Sequence, residues 1–192
     1  MNVTHAVALA LCLLGGALAL PGPAGATPPV QKGETYSALA YLPGNGGTAN
    51  VTIRFDAYSD ERELQLLHSL LVDNGPKAVL RRLEKLEPIG KIQRVSSVSF
   101  YDFKVVRSIP TAKGRRIVAF ADRPVGFLER YYNSRSTDYE FGVLTLDLDK
   151  EGGTEGTGEL IYAAKVRVRK DGSIEVENFS TYPVRLLGVR RQ

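Results

Sequence analysis

Histidine, cysteine and clustered carboxylates supply most catalytic and metal-holding side chains, and this chain is poor in the first two. Its 192 residues include two His and one Cys. His5 and Cys12 lie in an apolar leader, so His68, within LQLLHSLL, is the only histidine beyond it. A zinc site needs several His, Cys or carboxylate ligands together, and no such cluster surrounds His68. There is also no G-x-S-x-G elbow through which a histidine could activate a serine. His68 therefore reads as a partly exposed helix residue, and neither a metal nor a cofactor is expected.

Carboxylates are more plentiful. Asp122, Glu129, Asp138 and Glu140 could supply the pair that acid–base hydrolysis uses, because the separation such a pair needs is spatial and not sequential. Asp147, Asp149, Glu151 and Gly152 in DLDKEGG have the early spacing of a calcium loop. Its twelfth position, which requires a bidentate carboxylate, is Gly158, and the flanks pattern as strands instead of helices. LPGNGG lacks the Gly-Lys-Ser/Thr ending of a phosphate-binding loop. A carboxylate-dependent hydrolase thus stands as the alternative to a protein without enzymatic activity, and the reading leans toward the latter.

Two features point to binding. Phe127, Arg130, Tyr131, Tyr132, Arg135 and Tyr139 crowd one crossover that ends at Phe141. Aromatic rings with polar tips, interleaved with Arg, could grip a small apolar or amphiphilic ligand. Lys77, Arg81 and Lys85 recur every four residues and share one helical face, with Arg82, Lys91 and Arg94 nearby. Such a stripe suits a nonspecific anionic surface, whereas the interleaved aromatics of specific nucleic-acid recognition are missing.

The elements that must position these residues follow from periodicity. Residues 1–26 carry no Asp, Glu, Lys or Arg, and their apolar run ends in PGPAGA. The pattern predicts a signal peptide cut after Ala26, leaving residues 27–192 as a single exported α+β domain. The formal charge of +4 lies wholly in that part. With no cysteine left to pair, the domain must be held by its core, which fits a bacterial periplasmic or extracellular protein. No later segment approaches the ~20 apolar residues of a membrane span.

ETYSALAYLP and ANVTIRFDAYS read as strands about the PGNGGT turn, with Val51, Ile53 and Phe55 on one face. The period then becomes helical: Asp60 and Glu63 form a capping box, and Leu64, Leu67 and Leu71 form a stripe. A second helix restarts at Pro76 and runs to Pro88, with Val79, Leu83 and Leu86 inward. Strands are predicted at about 92–109 (split or bulged near VSSVS), 114–122, 139–149, 158–169, 173–180 and 184–190. The expected fold is α+β: a mainly antiparallel β-sheet, able to curl into a barrel, with an inserted two-helix hairpin.

KVRVRKDGSIEVENF near the C-terminus would present a basic stripe unless its partner strand cancels it. A three-residue KDG turn with a left-handed Gly172 sets Val168 against Ile174 and Val166 against Val176. That register opposes Arg167 with Glu175 and Lys165 with Glu177, which neutralises most of the stripe. These readings converge on an exported binding or interaction protein, carrying a small apolar or amphiphilic ligand or meeting a protein partner. The alternatives are the carboxylate hydrolase and a structural module whose basic helix contacts an anionic surface.

Overall fold

In the computed structural model, the described residues are 33–42, 47–125, 140–149, 155–169, 174–178 and 182–192. The expected leader and cleavage site lie outside them. Ten strands and two helices follow in the order β1 (Glu34–Tyr41), β2 (Thr48–Phe55), α1 (Glu61–Asn74), α2 (Pro76–Leu83), β3 (Gly90–Arg94), β4 (Phe100–Phe103), β5 (Val105–Thr111), β6 (Gly114–Ala121), β7 (Phe141–Asp149), β8 (Glu155–Val168), β9 (Ile174–Asn178) and β10 (Val184–Arg191). The strands form one sheet in the order β4-β3-β2-β1-β10-β8-β7-β6-β5, with β9 added beside the far half of β8. All of these pairings are antiparallel.

The two ends of that order, β4 and β5, are separated in sequence by Lys104 alone. The sheet therefore curls until it is nearly closed into a barrel. Phe103 and Val106 belong to the inner core, while Val105 packs in the outer one and the Lys104 ammonium reaches the carbonyl of Leu86 at 2.8 Å. Two successive outward residues mark a kink, as a strand needs to turn a barrel corner. Lys104 N–H donates to Phe120 O at 2.8 Å, which joins the kink to β6. The remaining seam is bridged by the segment after β2: Asp56 N–H bonds Ile89 O, and Ser59 N–H bonds Val106 O, both at 2.8 Å. The single split strand expected over residues 92–109 is thus a hairpin, β3–β4, followed by this corner.

Strand alternation fills the inside. Tyr36, Ala38 and Ala40 of β1, Val51, Ile53 and Phe55 of β2, and Ile117, Ala119 and Ala121 of β6 all belong to one buried cluster with Leu144, Leu146, Leu160 and Leu186. The ring centroids of Tyr36 and Phe103 lie 6.1 and 6.4 Å from that of Phe55. A second core lies outside the barrel, where Leu64, Leu67 and Leu71 of α1 and Leu83 of α2 cover Val118, Val143, Ile161 and Val166. Strands β6 and β7 are consequently buried on both faces, which explains the continuous apolar run in FGVLTL. At ~1.5–3 kcal/mol per fully buried side chain, four leucines fix the hairpin far more firmly than its ion pairs do.

The helix N-terminus is half of the expected capping box. Asp60 Oδ1 accepts from Glu63 N–H at 2.7 Å, but the Glu63 carboxylate turns to Arg82 of α2, at 2.5 and 2.8 Å. Gly75 joins the helices at φ 79°, a left-handed value that glycine adopts without strain. The second helix stops at Leu83, short of Pro88: Lys85 and Leu86 bond back only three residues, to Arg82 and Leu83, tightening the last turn. Pro88 disfavours a helical residue before it.

The β8–β9 ribbon has the anticipated register, with Val166 opposite Val176, Val168 opposite Ile174, Arg167 opposite Glu175 and Lys165 opposite Glu177. Gly172 lies outside the described residues. The recorded arginine ion pairs run diagonally, Arg167 to Glu177 at 3.1 Å and Arg169 to Glu175 at 2.9 Å. Diagonal neighbours are within reach of long side chains, so the stripe is still neutralised, one rung along from the expected Arg167–Glu175 pairing.

Candidate functional site

Where the helical hairpin meets the outer wall, packing is incomplete. About 50 Å³ of free space remains there, open on one side. Leu64, Leu67 and Leu71 roof it from α1 and Val79 and Leu83 from α2; Val105, Phe120, Phe141, Val166 and Ile174 form its floor and walls. Every one of these side chains is apolar, so a guest here is held by contact and by exclusion of water, with nothing in the lining to hydrogen-bond it. Two polar ties hold the hairpin to the wall. The Lys104 ammonium donates to Leu86 O in the turn after α2 and lies 3.8 Å from Asp122, and Arg107 lies 3.7 Å from Glu61 at the start of α1.

Only the two ends of the aromatic crossover are described. Phe141, its last residue, is buried and contributes to the wall. Val125, just before the crossover, is held by its N–H to Tyr162 O at 2.7 Å. Phe127, Arg130, Tyr131, Tyr132, Arg135 and Tyr139 lie outside the described residues.

Lys77, Arg81 and Lys85 are exposed. Lys77 and Arg81 stand on α2, and Lys85 lies in the tightened turn beyond its end. Arg82 does not join them, being committed to Glu63. His68 is half-buried on α1. Of the carboxylates considered for hydrolysis, Asp122 faces Lys104, Glu140 is half-buried just ahead of β7, and Glu129 and Asp138 lie outside the described residues. Asp147 is held by Arg116 at 2.6 and 3.1 Å, and so belongs to a cross-strand ion pair. Among the described residues no three His, Cys, Asp or Glu side chains form a group able to hold a metal.

One cluster was not anticipated. Glu34, only 4 % exposed, is turned into the end of the barrel. Arg115 Nη2 donates to its Oε1 and Oε2 at 2.8 and 2.9 Å and to the Tyr36 hydroxyl at 2.6 Å. The Tyr36 hydroxyl in turn donates to Glu34 Oε2 at 3.1 Å, the Tyr58 hydroxyl donates to the same oxygen, and Arg191 Nη1 lies 3.4 Å from Oε1. Burial alone would push the Glu34 carboxyl up, but hydrogen bonds from Tyr58, Arg115 and Tyr36 together with the Arg115 charge hold it below its ordinary value of 4.5. Burial, opposed by the Arg115 charge and aided by the Glu34 carboxylate, pushes the Tyr36 hydroxyl up to about 12. Both carboxylate oxygens are already engaged by protein donors, so the cluster plugs the barrel end and ties β1, β6 and β10 together.

The signal for this plug was present in the strand pattern. Glu34 has the same parity as Tyr36, Ala38 and Ala40, and Arg115 the same parity as Ile117, Ala119 and Ala121. Each strand announces an inward charge at its end, and only the topology shows that the two charges meet. Comparison with known proteins found no matching family model, no matching curated protein and no matching solved structure.

Proposed function

We propose that this protein is an exported binding protein that takes a small apolar or amphiphilic ligand between its helical hairpin and the outer wall of its barrel. The observation that carries this reading is the wholly apolar lining of an open pocket on a barrel whose interior is occupied by its own side chains. Typical ligand pockets enclose about 300–1,000 Å³. The smaller space here suits the end of an alkyl chain or a single ring, with the rest of an amphiphile emerging at its open side.

The test is a titration with an anilinonaphthalene sulfonate probe, monitored by fluorescence. Val79→Phe, at a half-buried roof position, fills the space without removing core contacts. Saturable binding in the wild type that weakens about tenfold or more in V79F, with near-ultraviolet circular dichroism unchanged, is the expected result. Equal binding by the two proteins would place the site elsewhere.

A second reading is favoured by one feature. Lys77, Arg81 and Lys85 are exposed and have no ion-pair partner among the described residues. The hairpin could therefore offer its outer face to an anionic surface while its inner face holds the ligand.

A further inference from the structure

The tip of the β3–β4 hairpin is unusual for a turn in water. Val98 is 93 % exposed, Val95 68 % and Phe100 48 %. Turn positions normally go to Gly, Asn, Asp, Ser or Pro; RVSSVSF supplies the Ser but sets two exposed Val among them. The apolar side chains are not loosely displayed, because the backbone beneath them is tied down. Val95 N–H bonds Asn50 O at 3.0 Å, Ser97 N–H bonds Arg94 O at 3.0 Å, Gln93 Nε2 donates to Ser97 O at 2.7 Å, and Ser99 N–H donates to Ser97 Oγ at 3.1 Å.

The two ionised side chains of β3 are cations on opposite faces of the strand, Lys91 on the outer face and Arg94 on the side of Ile92. Lys91 and Arg94 are the only ionised side chains between Glu87 and Asp102. The Lys91 ammonium sits 5.3 Å from the centre of the Phe100 ring. Asp102, opposite Lys91 in the ladder, lies 3.8 Å from Arg123. Pairing of β1 with β2 and of β2 with β3 brings the end of β1 to this same end of the barrel, and β10 begins there. Tyr41 and Tyr182, both exposed, therefore flank it. Exposed aliphatic side chains at a rigid tip, cations set behind them and tyrosines at the margin match the layers of a bilayer surface: acyl boundary, anionic headgroups and interface.

From this arrangement we infer that the β3–β4 tip docks on an anionic lipid surface, with Val95 and Val98 entering the headgroup boundary and Lys91 and Arg94 meeting lipid phosphates. This is independent of the ligand pocket. It also differs from contact through the outer face of α2, which offers cations and no apolar side chain between them.

The experiment is flotation of the full chain with vesicles of phosphatidylcholine, with or without phosphatidylglycerol. Wild-type protein is expected to float with the anionic vesicles and less with the neutral ones. The V95S/V98S variant should lose about tenfold or more in affinity, as expected when two Val side chains no longer leave water, while V79F retains wild-type flotation. The chain has no Trp, so V98W supplies a single reporter at the most exposed position. Its emission should shift to the blue on anionic vesicles and be quenched by lipids brominated near the headgroup. Flotation of V95S/V98S equal to wild type, or V98W emission that stays water-like on those vesicles, would overturn the inference; so would wild-type protein that does not float at all. Loss of flotation on reversing Lys77, Arg81 and Lys85 while V95S/V98S still floats would assign the contact to the helix instead.

Discussion

Replacing Glu34 with Gln tests whether the plug holds the barrel end together. The substitution keeps size and one acceptor oxygen but leaves Arg115, whose side chain is only 17 % exposed, facing Tyr36 and Tyr58 without its carboxylate. Breaking a buried ion pair by removing one partner costs about 3–5 kcal/mol. Because the cluster lies at a barrel end, we take the lower bound, about 3 kcal/mol, which for a domain of this size lowers Tm by roughly 6–12 °C. Urea unfolding followed by near-ultraviolet circular dichroism measures the loss. The same experiment has a pH signature. The folded Glu34 carboxyl titrates below the ordinary 4.5, so on acidification the unfolded chain binds the proton first. The Glu34 contribution is complete above the unfolded value and disappears as pH falls through the folded one. Wild type should therefore lose its advantage over E34Q below about pH 4.5. Converting both partners, as E34L/R115M, should cost less than the two single changes added together, since no charge is then left unpaired. A loss under about 1 kcal/mol in E34Q, or a difference from wild type that does not change with pH, would refute the argument that this pair is buried and coupled.

At alkaline pH the Tyr36 hydroxyl, raised to about 12, should stay protonated after the unfolded chain has begun to ionise near 10, so its contribution falls as pH rises from 10 toward 12; the fall should be smaller in Tyr36→Phe, as tested by unfolding across that range. Gly156→Ala should be severely destabilising, by about 1–3 kcal/mol or more, because an added Cβ would lie 1.9 Å from the Asp147 carbonyl oxygen; urea midpoints against wild type decide it. Reversing Glu177 to Arg should lower Tm slightly by opposing Arg167, and adding Arg167→Glu should restore it, with both effects shrinking in high salt. Reversal of Lys77, Arg81 and Lys85 should weaken retention on heparin and flatten its salt dependence, and unchanged elution would remove that face from the functional account.

Local periodicity made much of this architecture readable. The β8–β9 register could be deduced because a one-residue slip would have set Val168 against Glu175, so the apolar match and the turn length agreed on one answer. The first helix was equally legible, since Asp60 and the Leu64, Leu67 and Leu71 stripe depend only on neighbours. Helix α2 was read too long because Leu86 continues the apolar spacing, although its backbone has already tightened. What the sequence could not show is where chain-distant faces meet. Nothing local reveals that Lys104 turns a barrel corner, or that Glu63 abandons its capping partner for Arg82 on the next helix. The same limit applies to the site: Leu64 and Val79 read as ordinary stripe residues and Val166 as a ladder partner, and only their imperfect meeting leaves a pocket.

That imperfection has a structural origin. Inside the barrel, side chains from facing strands interdigitate, and the Glu34 cluster plugs one end. Outside, a hairpin of two short helices must cover the wall of a twisted sheet, and a straight rod does not follow that curvature. Leu64, Leu67 and Leu71 are buried against the wall and Val79 packs there half-buried, with the free space left between these side chains and Phe141, Val166 and Ile174. The hairpin is inserted between β2 and β3 and anchored at its ends, where Ser59 bonds Val106 and Lys104 bonds Leu86. Substitutions along its inner face can therefore reshape the pocket while leaving the ladders of the barrel untouched. The division is physical: the barrel is filled by its own side chains, and the free space lies where straight helices meet a curved sheet.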